Sequence, residues 1–287
     1  MKKIISLILA LLCASMLTGC NFGINFVNRY GNYADASKYS VGSFTYAAED
    51  VDAVEINWVN GEIEIVQSEL AELSVTENGE TLDSEEQMHY YIRNGKLIIH
   101  YCESGHFGEI NSAKKKLRVE IPVDVDVDID NVSADISIGE MRVGDFELTN
   151  VSGDVSFAGV TADWDIDIEI VSGGIKAEYI TAHAFKVEGV SGDIDVENIS
   201  ADEIDVQIVS GRTKIVLAKE CDIDISGVSG NVKITLPEGI GAEVELDSAS
   251  GNLHSDRDYT KKGDTYTFGD GKAEIQVETV SGELYIY

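Results

Sequence analysis

The chain has 287 residues, of which 52 are Asp or Glu and 21 are Lys or Arg, so its formal net charge is −31. Such an acidic chain repels nucleic acid and anionic lipid headgroups, and it is expected to attract cations or basic partners. Apolar residues make up 44% of the sequence, and their number and regular placement indicate a substantial core rather than disorder.

The N-terminus has the parts of a bacterial export signal. Two lysines precede an almost unbroken apolar run from Ile4 to Leu17, which is too short for an ordinary membrane-spanning helix. The run ends in LTGC, which resembles the bacterial lipobox, and the resemblance implies that the thiol of Cys20 is acylated. We therefore expect a lipoprotein signal peptide over 1–19 and a tether over 20–50; a plain cleaved signal is the alternative. Multiple acylation at Cys20 would hold the chain on a membrane.

The next region, 51–123, is predicted to be an N-terminal coil and cap with an inserted hairpin. VEINWVNGEIEIV, residues 54–66, has two runs of alternating apolar residues around Asn60-Gly61. The stretch YYIRNGKLIIHY predicts a β-hairpin that turns at Asn94-Gly95. KLRVEIP, residues 116–122, then leads into a regular array.

One phrase, VSG or a close variant, recurs through the rest of the chain. The serines of its eight copies are Ser133, Ser152, Ser172, Ser191, Ser210, Ser229, Ser250 and Ser281. Their spacing is 19 to 21 residues, except for a last step of 31. Self-similarity at a fixed period near 20 residues is typical of a solenoid.

The positions around each serine form columns of like residues. Counted from the serine, positions −6, −4, +3 and +5 are apolar in every copy except at Thr213 and Ser255. A spacing of two is the strand period, so each copy predicts two short strands with the serine-glycine phrase at the bend between them. Identical columns favour parallel stacking of like positions about 4.8 Å apart.

We therefore predict an all-β fold, a parallel β-solenoid (β-helix) with coils of about 19 residues and irregular caps at both ends. Regular repeats are expected over 124–254, and an insertion with a C-terminal capping coil over 255–287. An antiparallel β-meander or sandwich is the alternative.

Acidic residues fill two further columns, at −7 and −5. The ten that define the candidate stripe are Asp126, Asp128, Asp145, Glu147, Asp165, Asp167, Glu203, Asp205, Asp222 and Asp224. Stacked unit charges repel by about 0.9 kcal/mol even in water, which favours Ca²⁺ or Mg²⁺ as weakly bound counterions, or a basic ligand. The alternative is a solvated face that keeps the sheet soluble. At +4 the charges are mixed, as in Lys176 and Asp195.

Other candidate sites are less specific. His100, Cys102, Glu103 and His106 lie close together in HYCESGH and could hold a metal, although a strand end followed by a loop explains them as well. Export would permit a disulfide between Cys102 and Cys221.

The sequence offers no recognisable catalytic set. It holds neither a nucleophile elbow nor a phosphate-binding loop, so we assign no catalytic residues and no cofactor. Trp58 and Trp164 are interpreted as packing groups, although an exposed Trp could stack on a sugar.

The order of the phrases carries a family resemblance. NWVNGEIEI, KLRVEIP, the VSGDI copies, ITLPEGIGAEVELDSASGNL and a final VSGELYI together resemble the bacterial "putative adhesin" family of β-strand-repeat proteins. The resemblance covers nearly all of the chain after about residue 45. It implies attachment to the cell envelope, and the family has no agreed biochemical activity.

From these observations we expect a non-enzymatic lipoprotein anchored through Cys20 to the outer face of a membrane in the bacterial cell envelope. Its rigid acidic body would serve adhesion or envelope interactions, with a glycan or an envelope protein as partner. One alternative is an envelope-stress or regulatory accessory protein that acts through a membrane partner. Another is a carbohydrate-active β-helix enzyme.

Overall fold

A computed structural model describes residues 32–47, 51–70, 72–79, 82–106 and 115–287. These residues form an all-β structure, which confirms the predicted class: 25 strands join in one mixed sheet, and the one helical turn is the 3₁₀ segment Ala36–Lys38. The predicted signal peptide, Cys20 and the start of the tether lie outside the described residues. Within those ranges, no helix has the length and apolar character needed to cross a membrane.

The N-terminal half contains eight strands up to residue 138. They are β1 (Ser40–Val41), β2 (Phe44–Ala47), β3 (Ala53–Gln67), β4 (Glu72–Asn78), β5 (His89–Arg93), β6 (Lys96–His100), β7 (Lys115–Ile121) and β8 (Val125–Ile138).

The remaining strands follow at short intervals. They are β9 (Met141–Asn150), β10 (Val155–Ala158), β11 (Val160–Ala162), β12 (Asp165–Ser172), β13 (Ile175–Thr181), β14 (Ala184–Ser191), β15 (Ile194–Ser200), β16 (Glu203–Ser210), β17 (Thr213–Leu217), β18 (Asp222–Ser229), β19 (Val232–Thr235), β20 (Ala242–Ser248), β21 (Leu253–Ser255), β22 (Tyr259–Lys262), β23 (Thr265–Phe268), β24 (Ala273–Ser281) and β25 (Leu284–Ile286).

The repeats build two parallel ladders. The first ladder runs β9–β12–β14–β16–β18–β24–β20. The second runs β10–β13–β15–β17–β19–β25–β21. The long strands β3 and β8 pair along their whole length, so that their first halves extend the first ladder and their second halves extend the second. We call one first-ladder strand, its bend and the following second-ladder strand a unit.

Like positions lie beside like positions, as the columns predicted. Ser172 pairs with Ser191, which in turn pairs with Ser210. Asn60 pairs with Ser133, so β3 is indeed the first copy of the repeat. Every residue in columns −6, −4 and +3 is at most 9% exposed. The apolar columns therefore stack into one continuous core between the two ladders.

The glycine of the phrase permits close contact between neighbouring units. Gly192 has φ +142°, and a Cβ at that position would lie 1.8 Å from the carbonyl oxygen of Gly173. Any side chain would therefore overlap with the preceding unit.

The last two units are not stacked in chain order. Strand β24 pairs with β18 on one side and with β20 on the other, and β25 likewise lies between β19 and β21. The expected C-terminal capping coil is therefore wrong in position: residues 273–287 occupy an interior place in the ladders, and the earlier residues 242–255 form the last unit at the end. Since all units present the same apolar columns, either order buries the same core.

Antiparallel strands lie at both ends of the ladders. At the N-terminal end, β5 and β6 form the predicted hairpin, with φ +50° at Asn94 and +79° at Gly95. Strands β1, β2 and β4 add further antiparallel pairings there. At the other end the hairpin β22–β23 pairs with β20. Its outer strand β22 is fully exposed and carries two lysines, which disfavour pairing with another chain.

Candidate functional site

The acidic face is the outer surface of the first ladder at column −5. In spatial order the column reads Glu55, Asp128, Glu147, Asp167, Lys186, Asp205, Asp224, Gln276 and Glu245. It arises because alternate residues of each strand point outward and the units stack in register. Seven carboxylates thus follow one line, which Lys186 and Gln276 interrupt.

The carboxylates of column −7 have a structural function that the sequence did not reveal. Asp126 accepts a hydrogen bond from the backbone N–H of Asp145, one unit later, at 2.9 Å. Asp145 accepts one from the N–H of Asp165 at 3.2 Å, and Asp222 accepts one from Glu274 at 2.9 Å. One oxygen of each of these three carboxylates is therefore committed to joining neighbouring units, and the expected stripe divides into a largely structural column and an outward column.

Three of the outward carboxylates, Glu147, Asp167 and Asp224, have raised pKa values. Burial raises the pKa of Glu147, and the charges of Asp128 and Asp167 raise it further. Burial likewise raises the pKa of Asp167, and it raises that of Asp224 together with the charge of Asp205. Such shifts mean that the ionised column is electrostatically unfavourable and would be stabilised by positive charge.

Two lysines supply part of that charge. Lys96 Nζ lies 2.7 Å from Glu55 and 3.8 Å from Asp128. Lys186 Nζ lies 2.6 Å from Asp165 and 3.7 Å from Asp167. Although burial opposes ionisation at Asp165, the hydrogen bonds from Lys186 and His183 lower the pKa of this carboxyl.

Column −3 extends the acidic face and was missed from the sequence. Burial and the charge of Glu188 raise the pKa of Glu169, and burial and the charge of Asp224 raise that of Glu278. The sequence pattern could have revealed this column, because positions −3 and −5 are two residues apart and therefore share the outward face of the strand. Position −3 also carries acidic residues in several copies.

The outer surface of the second ladder is mixed in charge, as the sequence predicted at +4. Lys214 lies 3.1 Å from Asp195, and Lys176 lies 2.8 Å from Glu178. A groove of about 750 Å³ crosses this surface where the column carries small side chains, Ser137 and Ser156. Lys116, Lys176 and Asp195 in its lining form ion pairs, whereas Asp135 and Asp154 accept hydrogen bonds from backbone N–H groups.

The HYCESGH segment separates into buried and exposed parts. His100 ends β6 and Cys102 is buried, in agreement with a strand end followed by a loop. Among the described residues, Glu103 and His106 form with Glu85 a group whose ligand atoms lie within 4.8 Å of one another. The predicted quartet is therefore not assembled, but a different group of three is.

Both described cysteines are buried free thiols. Burial raises the pKa of Cys102 to about 11 and that of Cys221 to about 12, so neither is a reactive thiolate.

The two tryptophans differ: Trp58 is fully buried, as expected, whereas Trp164 is 65% exposed, so its interpretation as a packing group is wrong.

Several solved structures are similar to this chain. A structure named "putative adhesin" from Parabacteroides distasonis ATCC 8503 is 15% identical, with a TM-score of 0.50, and the match covers 86% of this chain and 97% of the other. A second of that name, from Bacteroides fragilis NCTC 9343, is 12% identical over 86% and 97%, with a TM-score of 0.44. A "putative lipid binding protein" from the same Parabacteroides strain is 13% identical over 85% and 96%, with a TM-score of 0.35.

At these identities the likeness concerns the fold alone. A search of curated proteins found no match. Residues 51–287 match the Toastrack DUF4097 family, a span that begins just before β3 and includes both ladders and the hairpins at their ends. The chain therefore belongs to the Toastrack DUF4097 family.

Proposed function

We propose that the protein is a non-enzymatic lipoprotein of the bacterial cell envelope whose acidic face binds a positively charged partner in adhesion or envelope interactions. The two parallel ladders wind as a β-solenoid, and acylated Cys20 anchors it to the outer face of a membrane. The partner's charge is supplied by a basic envelope protein or by divalent cations that bridge to a glycan.

The observation that carries this proposal is the outward carboxylate column. Glu147, Asp167 and Asp224 have pKa values raised by burial and by neighbouring acids, so each ionised side chain is held in unfavourable surroundings. A cationic surface laid along the column would relieve the repulsion at several units together. A sheet that needed only to be soluble could mix acids and bases along one column, as position +4 of the second ladder does at Lys176, Asp195 and Lys214.

The same column supports binding rather than catalysis. Glycoside hydrolysis uses two carboxyl groups whose environments separate their pKa values, one acid and one base or nucleophile. The pKa values of Glu147, Asp167 and Asp224 are instead all shifted upward, by burial and by neighbouring carboxylates. The names of the solved structures with this fold, which refer to adhesion, are consistent with a surface role.

A triple substitution tests the acidic face. Full chain purified in detergent would be titrated with hexalysine peptide and, separately, with Ca²⁺, by calorimetry at low and moderate salt. Changing Asp167, Asp205 and Asp224 to Asn removes three charges while keeping side-chain shape. We expect hexalysine affinity to fall about tenfold or more, and the wild-type affinity to decrease with salt.

The matched control changes Asp135, Asp154 and Asp195 of the second ladder to Asn, with the same change in net charge. This control should retain affinity within about twofold. Equal weakening by both triple variants would show that net charge, rather than the acidic face, determines binding. In parallel, retention of bacterial envelope vesicles on beads coated with each protein tests adhesion directly, and equal retention by all three would contradict the proposal.

A further inference from the structure

The strongest unassigned feature is a cavity of about 330 Å³ at the N-terminal end of the first ladder. Three tyrosines line it: Tyr33 and Tyr39 from the segment before β1, and Tyr91 from β5. This volume is at the lower end of the range for small-molecule sites. The N-terminal segment that forms one wall precedes residue 51, where the family match begins. The cavity is therefore built partly by residues that the family match does not include.

The aromatic wall is held in a fixed arrangement. The ring of Tyr33 stacks on the imidazole of His100, with centroids 3.9 Å apart and planes 2° from parallel. The hydroxyl of Tyr33 donates to the carbonyl oxygen of Cys102 at 3.1 Å. The ring of Tyr39 lies 4.7 Å from that of Tyr33 and 5.4 Å from that of Tyr91. A ligand would thus meet rings that are already ordered, which lowers the entropic cost of binding.

Tyr33 and Tyr39 remain neutral at physiological pH because their pKa values are raised. Burial raises the pKa of Tyr39 to about 12, with a further contribution from the charge of Glu55. Burial also raises the pKa of Tyr33. The rings therefore present neutral faces, and the phenol groups can both donate and accept hydrogen bonds.

The charges at the rim are already balanced. Asp35 lies 3.1 Å from Lys38 and 3.8 Å from Arg93, and Glu55 lies 2.7 Å from Lys96. Two carboxylates thus face three cations, so the rim does not select a cationic ligand although the protein as a whole is strongly acidic. For recognition of a neutral ligand, the cavity offers hydrogen-bond donors and acceptors, including the exposed Asn32, beside the apolar faces of the tyrosine rings.

We infer that this cavity binds one neutral sugar ring, such as the terminal unit of a glycan, with its C–H face against Tyr39 and its hydroxyls toward Asp35 and Arg93. A pyranose has an apolar face that packs on an aromatic ring and a rim of hydroxyls that need both donors and acceptors. The cavity supplies these two surfaces together. The site is separate from the outward carboxylates at Asp167, Asp205 and Asp224, so either proposal can fail alone.

Saturation-transfer NMR on the full chain tests the inference. The probes are the methyl glycosides of glucose, galactose, mannose and N-acetylglucosamine at millimolar concentration. We expect transfer to the ring protons of at least one glycoside, reduced about fivefold or more by Tyr39→Ala, which removes the ring surface, and by Arg93→Gln, which removes a charged donor. Arg93 is exposed, so its substitution tests the site even where Tyr39→Ala lowers the thermal stability.

The controls are an exposed tyrosine and an exposed arginine elsewhere. Tyr259→Ala and Arg212→Gln should leave the transfer unchanged. Absence of transfer to all four glycosides would overturn the inference, as would transfer that both cavity variants leave intact. Tetramethylammonium serves as a competing probe: displacement of the glycoside by this cation would identify a cation site instead of a sugar site. Loss of hexalysine binding in the acidic-face variant, with sugar transfer retained, would separate the two proposals.

Discussion

Ser172 donates its hydroxyl to the carbonyl oxygen of Val151 at 3.2 Å, across the boundary between two units. Ser152 makes the same contact with Val132 at 3.1 Å, and Ser191 makes it with Val171 at 3.3 Å. In these units the recurring serine thus joins one unit to the one before it, at the bend where the strand ladder is interrupted. Ser133 and Ser210 make the same kind of contact, so repetition of the VSG phrase repeats this link along much of the ladder.

Loss of one such hydroxyl should be measurable. Ser172→Ala should lower the free energy of unfolding by about 1 kcal/mol, the usual net value of one hydrogen bond. Urea unfolding followed by circular dichroism would measure it. Ser137→Ala, on an exposed side chain of the second ladder, is the control and should change stability by less than about 0.5 kcal/mol. Equal effects at both sites would refute the proposed role of the serine.

The glycine of the phrase should tolerate no side chain. Gly192→Ala would place a Cβ 1.8 Å from a backbone oxygen, so we expect a loss of about 3 kcal/mol or more. Gly239 also has positive φ, +80°, but nothing lies within 4 Å of its Cβ position. Gly239→Ala should therefore cost only the left-handed strain, about 1 kcal/mol. Gly192→Ala introduces both steric overlap and backbone strain, whereas Gly239→Ala introduces backbone strain alone. The difference between the melting temperatures of the two variants therefore reports the effect of the overlap.

Stability should respond to pH in opposite directions at two glutamates. The folded pKa of Glu147 is raised above its ordinary value of 4.5, so this residue contributes stability at low pH that is lost as the pH rises through the folded pKa. Glu147→Gln should therefore raise the melting temperature at pH 7.5, and this gain should vanish below about pH 4.

Glu64 provides the matched comparison. Although burial opposes ionisation, hydrogen bonds from Lys116 and Arg118 lower its pKa, so its contribution is present at neutral pH and lost on acidification. Glu64→Gln should lower the melting temperature at pH 7.5. The same sign of change in both variants would contradict the assignment of repulsion to the acidic face.

The buried ion pair at the N-terminal end should be costly to break. The side chain of Lys115 is fully buried, its Nζ lies 2.9 Å from Glu77, and burial lowers its pKa. It also donates to the carbonyl oxygens of Glu86 and Tyr101. Lys115→Met would leave Glu77 buried without its partner and should cost about 3–5 kcal/mol.

Replacing both partners tests this account of the pair. Lys115→Met combined with Glu77→Leu should restore at least half of the stability that the single variant loses, because no buried charge is then left alone. Urea unfolding of the single and double variants gives the comparison. A double variant as unstable as Lys115→Met would show that the lost packing of the lysine stem, and not the unpaired charge, causes the effect.

Local periodicity predicted much of the fold. The apolar columns at −6, −4 and +3 were identified from spacing alone, because a strand with one buried face alternates in sequence. The hairpin at Asn94-Gly95 was predicted because these residues adopt positive φ readily. The same local reasoning could not show that Val171 and Val190 are exposed, since apolar character does not distinguish the two sides of a bend.

Features that depend on distant contacts were not predictable from the sequence. The division of the acids into structural and outward columns depends on which carboxylate reaches the next unit's N–H, as Asp126 does for Asp145. The tyrosine cavity depends on the N-terminal segment crossing β5 and β6, and no repeat marks that contact. The exchange of the last two units was hidden because Ile275 fits beside Ile223 as well as Val244 does.

That exchange sets the order in which the protein can be completed. Synthesis delivers residues 242–255 before residues 273–287, yet the later segment lies between the earlier one and β18. Until the C-terminus emerges, β18 and β20 present unpaired edges across a gap about 9.6 Å wide, two strand spacings. A chain truncated after residue 272 would lack the interior strands β24 and β25. The strand edges that these two strands cover would then be open, and unpaired strand edges are sites for aggregation.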